Sequence, residues 1–278
     1  MTLSLALLSA SGIFYGLSFL FHLLSFSGAY LKGNRAAFAL MRMGFLAATF
    51  SLIAEAVARS FFLPVANFAQ AMAFFAWSLA FVYLVLLVRL QNESFGLILS
   101  PILFLLTFAA AFKKWSGAEE IALNPILHNP YFIFHIFTAF FAYASFALSF
   151  AAGTLYLIQN RELKAKRAGK FYRKLASLEE LERLIYQPLV WGVPLLLIAL
   201  GVGFLWSKSA YGEFWIFDPK TIATGVSAVF YFAILYLHYV SSLRGKQVAL
   251  LSLLAFAFVV LSFVGTRFMQ GAHSSYLQ

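Results

Sequence analysis

Long apolar runs separated by short polar connectors dominate the hydrophobic pattern of this 278-residue chain. A helix needs about 20 apolar residues to cross a bilayer core of about 30 Å. Segments of roughly that length predict eight transmembrane helices, at residues 3–28, 37–58, 68–90, 95–112, 131–159, 187–206, 221–241 and 248–266. Strands are excluded at these lengths, because an unpaired strand edge in lipid leaves backbone groups without hydrogen-bond partners. The predicted fold class is all-α, a polytopic integral membrane protein.

The composition supports a lipid bilayer as the solvent. Hydrophobic residues make up 63% of the chain and charged residues 11%, whereas a soluble domain carries about a quarter charged residues. The absence of Cys excludes disulfides, thiolate metal sites and thiol nucleophiles within this chain. Because no internal repeat or low-complexity linker divides the sequence, residues 1–278 are predicted to form a single domain.

The basic residues predict an orientation. The formal net charge of +10 lies mostly in connectors, which is the pattern that sets membrane topology and does not suggest a nucleic-acid partner. Connectors after spans 1, 3, 5 and 7 are the more basic, so they are predicted to face the cytoplasm, with both termini on the outer side. The first span lacks the basic start of a signal peptide and is predicted to remain in the protein. Segment 161–184 is predicted to be a cytoplasmic basic amphipathic segment on anionic headgroups, or alternatively a docking surface for a partner.

Histidines within membrane spans are costly and are functional candidates by default. His135 near the start of span 5 and His273 after span 8 are both predicted on the outer side, where two neutral imidazoles can hold one haem iron. His238 is predicted near the inner end of span 7, and His22 at a similar depth in span 1, as a tentative second pair. The alternative for His22 is a helix–helix hydrogen bond. His128, in a Pro-rich outer loop, is predicted to be solvated.

The outer connector 207–220 contains YGEFWIFDPK at 211–220, which is unusually aromatic for a polar connector. Large flat side chains can stack on a macrocycle, although aromatic residues also collect at membrane interfaces. Asp218 and Pro219 also suit a helix N-terminus, as a cap and as the first helical residue. Glu55 and Arg59, four residues apart, predict a local ion pair. The candidate haem contacts of the connector are Tyr211, Phe214, Trp215, Phe217, Asp218 and Lys220.

These features together resemble the CcsA/ResC family of cytochrome c assembly proteins, with HemX-type proteins as close relatives. The family motif reads approximately WGxYWxWDPKE, and the matching stretch here is YGEFWIFDPKT. Tyr211 and Phe217 stand where the family usually has Trp, and Thr221 stands where it usually has Glu. The histidines match in order, with His135 and His273 resembling the external haem ligands and His238 the membrane-embedded ligand. The motif residues retained are Gly212, Trp215, Asp218, Pro219 and Lys220.

The resemblance implies a haem-binding membrane subunit of the system II cytochrome c maturation pathway, in the bacterial cytoplasmic (inner) membrane or its equivalent. It implies haem b as the cofactor, a CcsB/ResB-type membrane subunit and apocytochrome c with a CxxCH segment as partners, and haem transport from the membrane site to the outer site. It also implies a holocytochrome c synthase (haem lyase) activity shared with the partner, without an acid–base residue assigned in this chain. In the family the partner supplies the second membrane ligand, and His22 is the hypothetical substitute here.

Two alternatives remain open from the sequence. The first is a HemX-type non-catalytic membrane protein linked to haem biosynthesis or its regulation, which the departures from the motif favour. The second is a transporter or channel for another substrate, which is disfavoured because the sequence contains no inverted repeat or broken helix pair near the membrane centre.

Overall fold

The architecture is a set of long apolar helices, as the hydrophobic pattern predicts. The structure, a computed structural model, describes residues 2–29, 33–59, 62–87, 93–117, 128–165, 175–212, 219–241 and 243–268. Within these ranges there are eight α-helices and no strand, and all eight helices are long and apolar enough to span a membrane. The predicted fold class is confirmed. The helices are α1 (Leu3–Ser27), α2 (Gly33–Arg59), α3 (Phe68–Leu87), α4 (Glu93–Trp115), α5 (Pro130–Lys164), α6 (Leu178–Tyr211), α7 (Pro219–Ser241) and α8 (Lys246–Phe268).

Two helices extend well beyond their predicted spans. Helix α5 continues to Lys164, and α6 begins at Leu178 rather than at residue 187. The Ser177 hydroxyl accepts the backbone N–H of Glu180 at 3.2 Å, which caps the start of α6. The predicted amphipathic segment 161–184 is therefore, in its described parts, the end of α5 and the start of α6. Pro219 begins α7 as predicted, where its missing N–H costs no helical hydrogen bond.

The helices pack into two compact units. The first contains Met1–Glu120 and Leu155–Leu181, and the second contains Ile121–Thr154 and Glu182–Gln278. Helices α5 and α6 contribute to both units. The assignment of one functional domain to the whole chain stays a prediction.

In the first unit, buried small residues join α1 to α2. Serine hydroxyls on one helix donate to backbone carbonyls on the other, and the positions recur every seven residues on each helix. Small side chains let two helices approach closely, and each hydroxyl finds a partner that lipid cannot provide. The three bonds, from donor residue to acceptor residue, are Ser51 to Ser4 (2.7 Å), Ser11 to Gly44 (2.8 Å) and Ser18 to Ala37 (2.9 Å).

A buried carboxylate ties all four N-terminal helices together at one end of the first unit. Glu55 of α2 is 6% exposed, and both of its carboxylate oxygens accept hydrogen bonds. The predicted ion pair with Arg59 is confirmed, and Lys114 adds a second ion pair that the sequence did not predict. The donors are Ser4 of α1 (2.7 Å), Arg59 of α2 (2.7 Å), Gln70 of α3 (3.1 Å) and Lys114 of α4.

In the second unit, side chains of α5 contact α6, α7 and α8. Phe146 of α5 stacks on Tyr231 of α7 with ring centroids 3.6 Å apart. Ser149 of α5 and Ser252 of α8 share a buried hydrogen bond of 2.8 Å. Helix α5 also packs against α6, so the imidazole of His135 on α5 lies against α6.

Candidate functional site

Three of the predicted haem-binding residues have side chains that the structure describes, namely His22, His135 and His238. Tyr211 ends α6 and Lys220 lies in the first turn of α7, but their side chains fall outside the description. The proposed convergence of His135 and His273 over the aromatic connector therefore stays a prediction. The candidates that lie entirely outside the described residues are Phe214, Trp215, Phe217, Asp218 and His273.

His135 lies on a surface made by three residues of α6. Its Nδ1 is 2.7 Å from the backbone carbonyl oxygen of Ala199. Its ring also stacks on Trp206, with ring centroids 6.1 Å apart and an interplanar angle of 18°. A carbonyl oxygen only accepts hydrogen bonds, so Nδ1 carries the proton and Nε2 carries the lone pair of the neutral imidazole. This tautomer suits Nε2 to metal ligation, because a second-shell carbonyl on Nδ1 fixes the ring and raises its basicity.

Gly203 lies between Ala199 and Trp206 on α6, and its lack of a side chain leaves room for the imidazole of His135. A Cβ added to Gly203 would lie 2.8 Å from the Nδ1 atom of His135 and 2.9 Å from its Cε1 atom. Residues 199, 203 and 206 are spaced so that they share one face of α6. The imidazole therefore rests directly on the helix backbone.

His238 has a similar arrangement near the end of α7. Its Nδ1 lies 3.3 Å from the carbonyl oxygen of Leu243, in the turn that follows the helix. The hydroxyl of Tyr186 donates to the same carbonyl, and the Tyr186 ring stacks on the imidazole with centroids 3.4 Å apart. The bond to Leu243 again assigns the proton to Nδ1 and the lone pair to Nε2.

The two histidines contact α6 at different levels. Tyr186, which stacks on His238, and Ala199, which binds His135, are separated along α6 by about 20 Å at 1.5 Å per residue. A bilayer core is about 30 Å thick. The second unit thus carries two anchored imidazoles at two levels of α6, and the membrane depths inferred from the sequence stay a prediction.

His22 differs from both of these residues. It is fully buried in the first unit, and neither of its ring nitrogens has a hydrogen-bond partner among the residues that the structure describes. Its ring is perpendicular to that of Phe38 of α2 with centroids 5.2 Å apart, and a Cβ added to Gly96 of α4 would overlap the imidazole close to Nε2. The alternative prediction of a helix–helix hydrogen bond for His22 therefore finds no partner within the described ranges and stays a prediction. Because the pairing of His22 with His238 would join residues of the two units, it stays a prediction.

The sequence did not predict the residues that contact these histidines, and Ala199, Tyr186 and Gly203 show why. Ala199 acts through its backbone carbonyl, which has no sequence signature, and Tyr186 lies 52 residues before His238 in the chain. Gly203 had the best available signal, since a glycine within an apolar helix often marks a close approach. The chain has 17 glycines, however, and spacing alone does not identify which of them contacts a histidine.

The fold and these side chains define a polytopic integral membrane protein with anchored histidines at two levels of one helical unit. The sequence model of the cytochrome c assembly protein family matches residues 65–273. The chain belongs to this family, as the resemblance implied.

Individual relatives point to the same family. Protein HemX of Brevibacillus brevis is 28% identical over 90% of this chain and 91% of that protein, and Protein HemX of Bacillus subtilis is 28% identical over 90% of each. The cytochrome c biogenesis protein CcsA of Guillardia theta is 26% identical over 77% of this chain and 76% of that protein.

A solved structure shares the fold. The structure of cytochrome c heme lyase CcmF matches 99% of this chain with a TM-score of 0.61 at 16% identity. This chain corresponds to 51% of the length of that chain, so the likeness concerns the fold of about half of it. The family and the fold together support a role in cytochrome c maturation, which involves haem.

Proposed function

We propose that this protein is a haem-binding membrane subunit of cytochrome c maturation. In this proposal it holds haem b at an outer site through His135 and His273, and at a membrane site through His238. It acts with a CcsB/ResB-type subunit of system II and moves haem from the membrane site to the outer site. There it presents the haem to apocytochrome c in the bacterial cytoplasmic membrane or its equivalent.

The bond from His135 to Ala199 is the observation that carries the proposal. An axial haem ligand must be a neutral imidazole with its lone pair on the ligating nitrogen. The 2.7 Å contact between Nδ1 and the carbonyl oxygen selects the tautomer that has this lone pair on Nε2. His238 shares this property through Leu243.

The remaining roles follow from the chemistry of the side chains. Tyr211, Phe214, Trp215 and Phe217 would stack on the macrocycle and orient it, and Asp218 would cap α7 or orient the connector. Lys220 would neutralise a propionate. The bound haem supplies the vinyl groups that form thioether bonds with the thiols of the CxxCH segment, so the chain itself needs no cysteine. Its contribution to a holocytochrome c synthase is to position the reactants.

His22 is the candidate for the second ligand at the membrane site. Its Nε2 lies against Gly96, so ligation there requires α1 and α4 to separate locally. The variant His22→Ala tests this assignment through the haem content and visible spectrum of the purified protein. Unchanged content and an unchanged spectrum would remove His22 from the proposal.

The visible spectrum of the detergent-purified chain tests the main proposal. We expect six-coordinate, bis-histidine haem in the wild type, and its loss or conversion to five-coordinate haem in His135→Ala and in His273→Ala. The control is His128→Ala, which removes an exposed histidine from the loop before α5. Haem that is unaffected by His135→Ala and His273→Ala, or a wild type that binds none when haem b is added, would contradict the proposal.

The HemX-type alternative is favoured by the two HemX relatives, which match this chain over nine-tenths of its length. In that case the chain is a non-catalytic membrane protein linked to haem biosynthesis or its regulation. Complementation of c-type cytochrome assembly, in a strain lacking its own CcsA-type subunit and supplied with a ResB-type partner, separates the two functions. Restored holocytochrome supports the synthase subunit. Haem binding without restored holocytochrome supports the HemX-type function.

A further inference from the structure

We propose that Gly203 is a positioning residue that sets the tautomer and orientation of His135. The effect of Gly203 on the tautomer of His135 does not depend on haem. Its effect on haem binding rests on the proposed function. The inference starts from the close approach of the imidazole to α6. Only a residue without a side chain lets the ring lie low enough on this helix for Nδ1 to reach the carbonyl of Ala199.

The geometry leaves no space for a methyl group at this position. A Cβ at position 203 would lie 2.8 Å from the Nδ1 atom of His135, whereas ordinary van der Waals contact begins at 3.4 Å. The ring must therefore retreat by about 0.6 Å, the difference between these two distances. A retreat in that direction draws Nδ1 away from Ala199, which is 2.7 Å distant in the wild type and close to the short end of the usual range.

Packing on the other sides determines how the ring responds. Trp206, one turn further along α6, is 3% exposed and stacks on the imidazole. Phe132, one turn before His135 on α5, packs on the same indole with ring centroids 5.1 Å apart. Because the indole is held between these rings, it does not move aside to let the imidazole slide along the helix. The methyl group must instead turn the imidazole about its own side-chain bonds.

The chain offers a matched control at Gly201, two residues earlier on α6. A Cβ added there meets no heavy atom within 4 Å among the described residues, apart from its own stretch of helix. Gly201→Ala and Gly203→Ala are thus the same chemical change in the same turn of the same helix, and both gain helix propensity equally. Only Gly203→Ala changes the surroundings of His135.

The first measurement requires no haem. The haem-free full-length protein is labelled with ¹⁵N at histidine, and the imidazole nitrogens of His135 are assigned by their loss in His135→Asn. We expect the wild type and Gly201→Ala to show a protonated Nδ1, and Gly203→Ala to shift His135 towards the Nε2-protonated tautomer or a mixture. A wild type with its proton on Nε2, or a tautomer unchanged by Gly203→Ala, overturns the inference.

The second measurement is titration of the same three proteins with haem b, followed through the visible spectrum. Loss of a second-shell partner typically weakens metal binding by about 10- to 100-fold, and we expect a loss of that size for Gly203→Ala and less than about twofold for Gly201→Ala. Equal affinities and spectra in the two variants would overturn the positioning role. A wild type that binds no haem would instead contradict the proposed function, while the tautomer measurement still decides the inference. If Gly203→Ala does not fold, the tautomer of the wild type alone supports or overturns it.

Discussion

The charge of Glu55 is expected to stabilise the first unit more than any single hydrogen bond there. The substitution Glu55→Gln keeps the shape of the side chain and removes its charge. Lys114 and Arg59 then lose the anion that compensates their charges, and the cost of the uncompensated charge differs between them. The Arg59 side chain is 36% exposed and can be hydrated, whereas that of Lys114 is 20% exposed.

The magnitude follows from these exposures. Removing one partner of a buried ion pair typically costs about 3–5 kcal/mol, because an uncompensated charge stays buried. We expect about 3 kcal/mol for Glu55→Gln, at the lower end because Lys114 keeps some access to solvent. An exposed ion pair four residues apart on a helix contributes about 0.3–0.5 kcal/mol, so Arg59→Gln should cost about one-sixth as much.

The assay is thermal unfolding of the detergent-purified variants, followed through intrinsic fluorescence. A double-mutant cycle isolates the pair, because Lys114→Met removes the cation that Glu55→Gln leaves uncompensated. We expect the double variant Glu55→Gln/Lys114→Met to recover at least half of the loss caused by Glu55→Gln alone. Equal losses from Glu55→Gln and Arg59→Gln, or strictly additive losses in the double variant, would refute the reasoning.

Two further substitutions test the surroundings of the other histidines by the same unfolding assay. Gly96→Ala places a methyl group on the ring of His22, and overpacking of this kind costs about 1–3 kcal/mol. Gly265→Ala adds a Cβ that has no neighbour within 4 Å among the described residues, so it should gain helix propensity without that cost, and equal stability of the two variants would contradict the contact. Tyr186→Phe keeps the ring stacked on His238 but removes the hydroxyl that donates to Leu243, for an expected loss of about 1 kcal/mol. Tyr186→Leu also removes the stacked ring and should cost more, so a smaller loss than that of Tyr186→Phe would contradict the stacking.

The helices were predictable from the sequence because a bilayer imposes a minimum length of apolar residues. Their ends were less predictable where a helix continues past the apolar stretch, as α6 does before residue 187. Pro188 and Pro194 lie inside α6 without ending it, since neighbouring helices and local adjustments can satisfy the backbone groups that a proline leaves unpaired.

The candidate site was predictable only in part. The pair Glu55–Arg59 was visible as a spacing of four residues, whereas the membrane depths predicted for His135 and His238 stay a prediction. The bond that Lys114 donates to Glu55 spans 59 residues of sequence and depends on how α2 packs against α4. Carbonyl partners such as those of Ala199 and Leu243 are equally invisible, because every residue type has the same backbone oxygen.

The serine bonds between α1 and α2 have a consequence for how this pair of helices assembles. Their residue numbers add to the same total in all three bonds, so one alignment of the two helices satisfies every bond. A slide of a single helical turn would break all three at once and leave three hydroxyls facing apolar surroundings. Helices α1 and α2 are therefore expected to pair in a single register, in which all three serine bonds form together.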